Sequence, residues 1–486
     1  MRIPVKAEYL ILFAAVLGYF AIFCTLSILR HRSLNSSYLD LGLEAQTVWN
    51  TSQGRFFETS FGNNGEIISA LSYHMTPAVL LFSPIYALFP SPITLLVIQT
   101  LVLSLGALPI FLISKHVLPG SNLKYAFAVS YLLYPPMEYA NIFDFHYVTL
   151  ATTFLLFAFY FLLKKRWGFF YIFLILSVST KENLALVSAL FGVYLFFIYK
   201  ERLKGAIISL SSIFYFLAVV YIVFPKLGGG AGALGRYEYL GRNIGEMAFN
   251  LVTHPAYMLG VLFMKPKLIY LVHVFASAGF LSLLSPVTLL LAISEFLLNL
   301  LSAHNPQWQV KFHYTAAITP FVFISAIYGV ARLRNFLSHY KRNITLLYSN
   351  VVDIGLALYL ISFSLLWNFL HSPSPLYYKF ERSNFTPNTE TEKAIQSLSK
   401  IHTSASVSAM NNLGAHLSNR RYLFRFPMNY LNADYVAVDP YVILKNYDLS
   451  QVTPEDWTKL SGNLLKGGKF EMIVSQPRLL LYKKVL

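Results

Sequence analysis

The chain has 486 residues, 56% hydrophobic and only 12% charged, with a net charge of +16 and a mean hydropathy of +0.54. Soluble globular proteins carry roughly 25% charged residues, so this composition excludes an ordinary soluble fold and points to a polytopic membrane protein. The basic residues cluster in short loops between apolar runs, as cytoplasmic loops do, which removes nucleic acid as the reason for the charge, and the lone Cys24 excludes an intrachain disulfide or a cysteine-rich metal site.

Arg2 and Lys6 precede an apolar run over 8–29, long enough to span, with no small-residue cleavage site after it. This predicts a retained first span, followed on its far side by Arg30, His31 and Arg32. Residues 34–49, LNSSYLDLGLEAQTVW, carry Asp40 and Glu44 among aliphatic and aromatic neighbours, at the i, i+4 spacing that shares one helix face. Acids on so apolar a helix are costly to desolvate. They read either as catalytic groups at the outer membrane surface or as a solvated interfacial face. A polar loop over 51–66 follows, then SALSYHMTPAVLLFSPIYALFPSP. Pro77 and Pro84 leave its apolar piece too short to span, so 69–89 is expected as a bent helix in the outer interface.

With that segment outside, spans near 92–114, 124–140, 147–163, 168–180, 184–199 and 206–224 place Lys115, Lys124, Lys164–Arg166 and Lys200–Lys204 on the cytoplasmic side. FDFH, at 143–146, and TKEN, at 180–183, then face out. A glycine-rich outer loop, 227–235, precedes Arg236, Glu238 and Arg242. Further spans near 268–284, 287–302, 314–331 and 344–370 flank a basic loop at 332–342 and the outer segment HNPQWQVKFHY, giving about eleven spans, N-terminus in and C-terminus out.

After 371 the apolar density falls and SPSP forms a stiff linker. A soluble α/β pattern follows: helices near 392–400, 412–418 and 454–466, strands at 406–410, 422–426 and 435–438, and two terminal strands around Gln476–Pro477. The expected layout is therefore a transmembrane domain over 1–370, with outer juxtamembrane helices at about 34–89, and a small extracytoplasmic α/β domain over 371–486. Asn384 lies in an Asn-Phe-Thr acceptor sequence on that domain. No phosphate-binding glycine motif and no serine nucleophile elbow is present.

This topology gathers Asp40, Glu44, His74, Asp144, His146, Lys181, Glu182, Lys311, His313 and Tyr314 on the outer side. Singly each has a plain explanation, such as a cap, a surface ion pair or an aromatic-belt tyrosine. Together they suit sugar transfer from a lipid phosphate. A carboxylate such as Asp40 would activate the acceptor. His74, Lys181, Arg236 or Lys311 would balance the charge growing on the leaving phosphate. Asp40, His74, Asp144 and His146 also have the ligand types for a divalent cation, Mg or Mn, without compact metal spacing.

DLGLEAQTVW with Gly54, HMTPAVLLFSPIYALFPSP with Gln99, YPPMEYANIFDFH, STKEN, NLLSAHNPQW with KFHY, and HLSNRRYLFRFP with ADYVAVDP form a recognisable set. Through them the chain resembles an uncharacterised, largely archaeal family of polytopic membrane proteins, which in turn looks like the GT-C glycosyltransferases. The resemblance implies a first span, juxtamembrane helices and six further spans. It also implies a polyprenyl- or dolichyl-phosphate sugar donor, with a glycan, lipid or protein acceptor, at the cell membrane. Asp40 and His74–Pro77 occupy the places of the acidic residue and the His/Lys-Pro-Pro segment of that group, without its acidic doublet. On this reading Asp40 is the base or a metal-linked acid, supported by Glu44 and Asp144. His74, His146, Lys181 and Glu182 meet the donor, and His313 and Tyr314 close the opposite wall. The alternatives are a transporter or flippase for lipid-linked glycans, which predicts polar groups at mid-bilayer, and a scaffold that displays the tail.

Overall fold

The computed structural model describes residues 5–62, 65–229, 232–340, 346–444 and 452–485. Arg2, Gly230 and Ala231 of the glycine-rich loop, and Lys341 and Arg342 of the basic loop lie outside these residues. The chain forms two compact units, one of Met1–Phe23, Gln99–Phe143 and Tyr147–Phe380, the other of Cys24–Ile98, Asp144–His146 and Glu381–Leu486.

The first unit is helical. Among the described residues of the whole chain, four helices are long and apolar enough to cross a membrane: Glu8–Arg32, Pro92–Val117, Arg202–Lys226 and Asn350–His371. Pro255–Leu262 and Lys265–Ala276 add a pair bent by 60°, and Tyr147–Leu163, Trp167–Val178, Leu184–Phe197 and Pro286–Leu300 are shorter apolar helices. The expected single span over 124–140 is two helices, Leu123–Leu132 and Pro135–Ile142. Pro135 and Pro136 cause the break, because the residue before a proline is pushed out of the helical region. Helices Ile244–Thr253 and Pro255–Leu262 appear where the sequence suggested no element.

Close packing in this unit depends on small residues. Helices Leu184–Phe197 and Arg202–Ala218 meet so tightly that a Cβ on Gly192 or Gly205 would lie 2.6 Å from the other glycine's carbonyl oxygen. Polar groups are paired with care. Glu8 accepts from Lys115 and Lys124 at 2.8 and 2.6 Å, and Gln99 donates to the Asn141 carbonyl while accepting from Thr149. Glu138, 1% exposed, accepts from Asn368 and Ser372. Glu295, 4% exposed, is likewise buried, in the first turn of helix Ile293–Leu300.

The second unit holds a two-stranded ribbon of β1 (Glu58–Thr59) and β2 (Ile68–Ser69) and is built on a five-stranded sheet of β3 (Val407–Ala409), β4 (Leu423–Arg425), β5 (Tyr435–Val438), β6 (Phe470–Gln476) and β7 (Leu479–Lys484), in the order β4-β3-β5-β7-β6. β3 pairs in parallel with β4 and β5, while β7 pairs antiparallel with β5 and β6. One face packs on helix Thr389–Leu398, whose N-terminus is closed by a capping box from Asn388 and Thr391. The core on that face also holds Leu34, Tyr38 and Leu43 from the acidic stretch, beside Leu398, Val407 and Leu413. Tyr38, 1% exposed, donates to the Leu423 carbonyl at 2.9 Å. Burying such a ring is worth about 2–3 kcal/mol, so residues 34–43 are as much a part of the tail's core as its own helix.

The juxtamembrane region differs from expectation in two ways. The stretch after Ser37 starts as a π turn, Tyr38–Gly42, before the α-helix Leu43–Ser52, so Asp40 and Glu44 lie on different helix types. The bent helix expected over 69–89 is instead a strand (Ile68–Ser69, paired with Glu58–Thr59), a 3₁₀ turn (Ala70–Ser72), an irregular piece and the helix Val79–Leu88. Pro77 cannot donate to a helix through that irregular piece. Pro84 is accommodated inside the helix, where the Ser83 hydroxyl donates to the Leu80 carbonyl at 3.2 Å.

Candidate active site

Helix Val5–Arg32 ends with Arg30, His31 and Arg32 in its last turn. The chain then turns through Leu34, at φ +58°, and Ser37 caps the π turn that carries Asp40. FDFH, between helices Pro135–Ile142 and Tyr147–Leu163, supplies Asp144 and His146. These pieces of the second unit converge. Arg30 Nη1 donates to Asp144 Oδ1 at 2.5 Å, and the Ser37 N–H donates to Asp144 Oδ2 at 2.8 Å. His146 Nε2 lies 3.1 Å from Asp40 Oδ1.

The two carboxylates are tuned differently. Asp144 is 1% exposed, and burial pushes its carboxyl up to about 6; Arg30 opposes the shift and the nearby Asp40 charge adds to it. The Asp40 side chain keeps 26% of its surface. Burial raises it too, but the His146 hydrogen bond and charge pull harder and hold it below the ordinary carboxylate range. Asp40 is thus the ionised, reachable acid, and Asp144 the enclosed one.

Asp144 also has φ +113°, well beyond the left-handed helical region that Asp tolerates. Such a conformation costs of order 1–3 kcal/mol and persists only where the surroundings impose it. Here a guanidinium and an amide grip the side chain. Ser37 Oγ and the Leu39 N–H also contact Asn411 Oδ1, each at 3.2 Å, tying the acidic turn to the sheet unit.

Glu44 is half-buried and, after burial itself, is the next cause that pushes the Tyr73 hydroxyl up. His74 follows Tyr73 and packs edge-on to its ring, 5.7 Å between centroids. In the first unit, Lys181 and the buried Glu182 lie within electrostatic reach of Glu295, whose two oxygens both accept from Asn183 at 2.9 Å. Arg236 donates to Gln307 at 3.2 Å and lies over the Tyr314 ring at 5.8 Å. His313, 8% exposed, packs on Tyr314 at 4.3 Å and on Phe143 at 6.2 Å. Lys311 is exposed, within electrostatic reach of His273.

The structure therefore joins Asp40, Asp144 and His146 directly, puts Glu44 beside Tyr73–His74, and holds Lys181, Glu182, Arg236, His313 and Tyr314 within the helical unit. Sequence reasoning missed Arg30, Ser37, Asn411 and Glu295. In the sequence Arg30 stands only as one of three basic residues, with His31 and Arg32, on the far side of the first span. Glu295 had a legible signal: it is the single ionisable residue in the apolar run 286–302. Among the described residues no three His, Cys, Asp or Glu side chains are grouped to hold a metal ion. As arranged, Asp144 is engaged by Arg30 and Asp40 by His146.

Helix plan, juxtamembrane turn and C-terminal sheet together define a polytopic membrane protein of GT-C-like fold. The chain belongs to the family described as predicted membrane protein DUF2079, whose model matches residues 30–481. No curated protein matches it in sequence. Among solved structures, it is similar to ArnT from Cupriavidus metallidurans bound to undecaprenyl phosphate, with 13% identity, 99% of each chain covered and a TM-score of 0.60. The apo state of the same protein matches at 13% identity and a TM-score of 0.54, again with 99% of each chain covered. The apo Archaeoglobus fulgidus oligosaccharyltransferase matches at 12% identity and a TM-score of 0.48, over 90% of this chain and 71% of that one. At such identities the likeness is one of fold.

Proposed function

We propose that this protein is an integral membrane glycosyltransferase. It would move a sugar from a polyprenyl- or dolichyl-phosphate donor to an acceptor on the extracytoplasmic side. The supporting observation is the strained, buried Asp144, held by Arg30 and the Ser37 amide next to the Asp40–His146 pair, in a chain of GT-C-like fold.

On this reading Asp40 takes the proton from the acceptor hydroxyl or amide. The acceptor atom bonds to the anomeric carbon, the bond from that carbon to the phosphate oxygen breaks, and the lipid phosphate leaves with the electron pair. Asp40 stays ionised at neutral pH because His146 favours its charged form. With Nε2 protonated, His146 donates to Oδ1 and fixes the carboxylate. Asp144 is a positioning residue: it anchors Arg30 and the Ser37 cap, which set the turn that carries Asp40. Glu44 supports Asp40 from the first turn of the α-helix that follows. His74, in the same unit, donates a hydrogen bond to the leaving phosphate. A transport reading has the buried Glu295 and the bent helix pair in its favour.

The test is sugar transfer by the full chain in proteoliposomes supplied with dolichyl- and undecaprenyl-phosphate-linked sugars. Asp40→Asn should lower the rate about 10²–10⁴-fold, the usual worth of a general base, with an unchanged melting temperature. Transfer at the parent rate removes Asp40 from this role, and lipid-linked sugar crossing the bilayer without transfer favours transport.

A further inference from the structure

A cavity of about 830 Å³ opens in the sheet-containing unit and shares no lining residue with the Asp40–Asp144 cluster. Its wall includes Arg32 and Pro92, the terminal residues of two of the membrane-crossing helices. Ile28 and Ile93 beside them continue the apolar surface of those spans. The opposite wall is helix Thr389–Leu398, which contributes Glu392, Lys393 and Gln396. Ile28, Pro90, Pro92 and Ile93 thus make the side at the ends of the two spans the more apolar, while the soluble helix contributes mostly polar groups beside Ile395. Such a layering suits a molecule that itself sits at a membrane boundary.

The charges favour an anion. Arg32 and Lys393 face a single acid, Glu392. The Arg32–Glu392 contact, at 2.7 Å, joins side chains that are 50% and 52% exposed. Exposed pairs of this kind contribute little, so a stronger anion can take Arg32 over. Deeper in, His31 and His416 stack at 3.9 Å between ring centroids, and His416 Nε2 donates to the His31 carbonyl at 3.1 Å. His31 is 4% exposed, lines the cavity, and its Nδ1 has no partner among the described residues. A buried ring nitrogen without a partner is a site that a ligand oxygen or an ordered water can satisfy.

We propose that this cavity binds the phosphate-bearing head group of an anionic membrane lipid. The phosphate lies between Arg32 and Lys393, and the acyl chains run along Ile28 and Ile93 into the bilayer. Helix Thr389–Leu398 is thereby clamped to the span ends. A lipid fits better than a soluble phosphate because half of the wall is the boundary of two spans. The inference stands apart from the sugar-transfer reading and holds whether or not that reading does.

Native mass spectrometry of the full chain, taken from nanodiscs of phosphatidylglycerol or of phosphatidylcholine, tests it. Phosphatidylglycerol should be retained and phosphatidylcholine lost. Lys393→Glu and, separately, Gln396→Glu lie on the exposed face of their helix and spare the core. Lys393→Glu, which reverses a charge, should lower the retained phosphatidylglycerol more than about tenfold, and Gln396→Glu, which adds one negative charge, about fivefold, at about 1 kcal/mol per charge near a head group. Equal retention of both lipids, or undiminished retention in both variants, overturns the proposal. Displacement of the lipid by millimolar inorganic phosphate also overturns it, since it points to a soluble ligand.

Discussion

Replacing Arg30 by Met strands Asp144. The carboxylate is 1% exposed, and even with the guanidinium at 2.5 Å burial carries it up to about 6. Removing one partner of a buried pair costs about 3–5 kcal/mol, because the other charge remains without its counter-ion. The pH dependence follows from the same group. Unfolded, the carboxyl titrates near its ordinary 3.8; folded, near 6. Between those values the folded protein binds more protons, so the Asp144 contribution falls as pH rises from about 4 to about 6 and is level above. At about 1.4 kcal/mol per pH unit, the gap is about 3 kcal/mol. The deficit of Arg30→Met should therefore be full at pH 8 and smaller at pH 5, where the acid is protonated and needs no counter-ion. The double variant Arg30→Met/Asp144→Asn removes both charges and should recover at least about 2 kcal/mol of the loss. Equilibrium unfolding of the full chain in mixed micelles, at both pH values, measures all three quantities. A double variant no more stable than Arg30→Met, or a deficit independent of pH, would refute the coupling.

Gly414→Ala should destabilise by about 1–3 kcal/mol, the usual cost of overpacking, since its new Cβ would lie 2.7 Å from Tyr38 Cβ; a melting temperature equal to the parent's contradicts the packing of Tyr38. Burial lowers His416 from the ordinary 6.5 to about 4, with the His31 carbonyl pulling the other way. Its contribution is therefore lost as pH falls from about 6.5 to about 4, by about 3 kcal/mol. This opposes the Asp144 trend, so the readout is the difference between variant and parent. His416→Phe should flatten the acid limb of the stability profile, and an unaltered limb shows that the ring is not held neutral.

Much of this molecule is legible in order along the chain. Helix Tyr147–Leu163, strand Tyr435–Val438 and the final hairpin fall where apolar runs and alternation put them, because burial among neighbouring helices or against one sheet face selects the residues that are enclosed. The interruptions are local chemistry, and the prolines at 135 and 136 announce theirs. FDFH and the acidic stretch stood out as polar groups at the edges of apolar runs. Their roles did not, since nothing in Phe-Asp-Phe-His distinguishes the buried, strained Asp144 from an exposed acid.

The sequence by itself determined a membrane-embedded chain with a soluble α/β tail, because composition and hydropathy report the solvent around each segment. Only the tertiary structure decided that Arg30 grips Asp144 across 114 positions, that His146 rather than Glu44 partners Asp40, and that Tyr38 belongs to the core of a sheet nearly 400 residues later. Those pairings are set by which side chains meet in space. Periodicity carries no record of that, since a buried carboxylate and a solvated one are the same letter until a neighbour arrives.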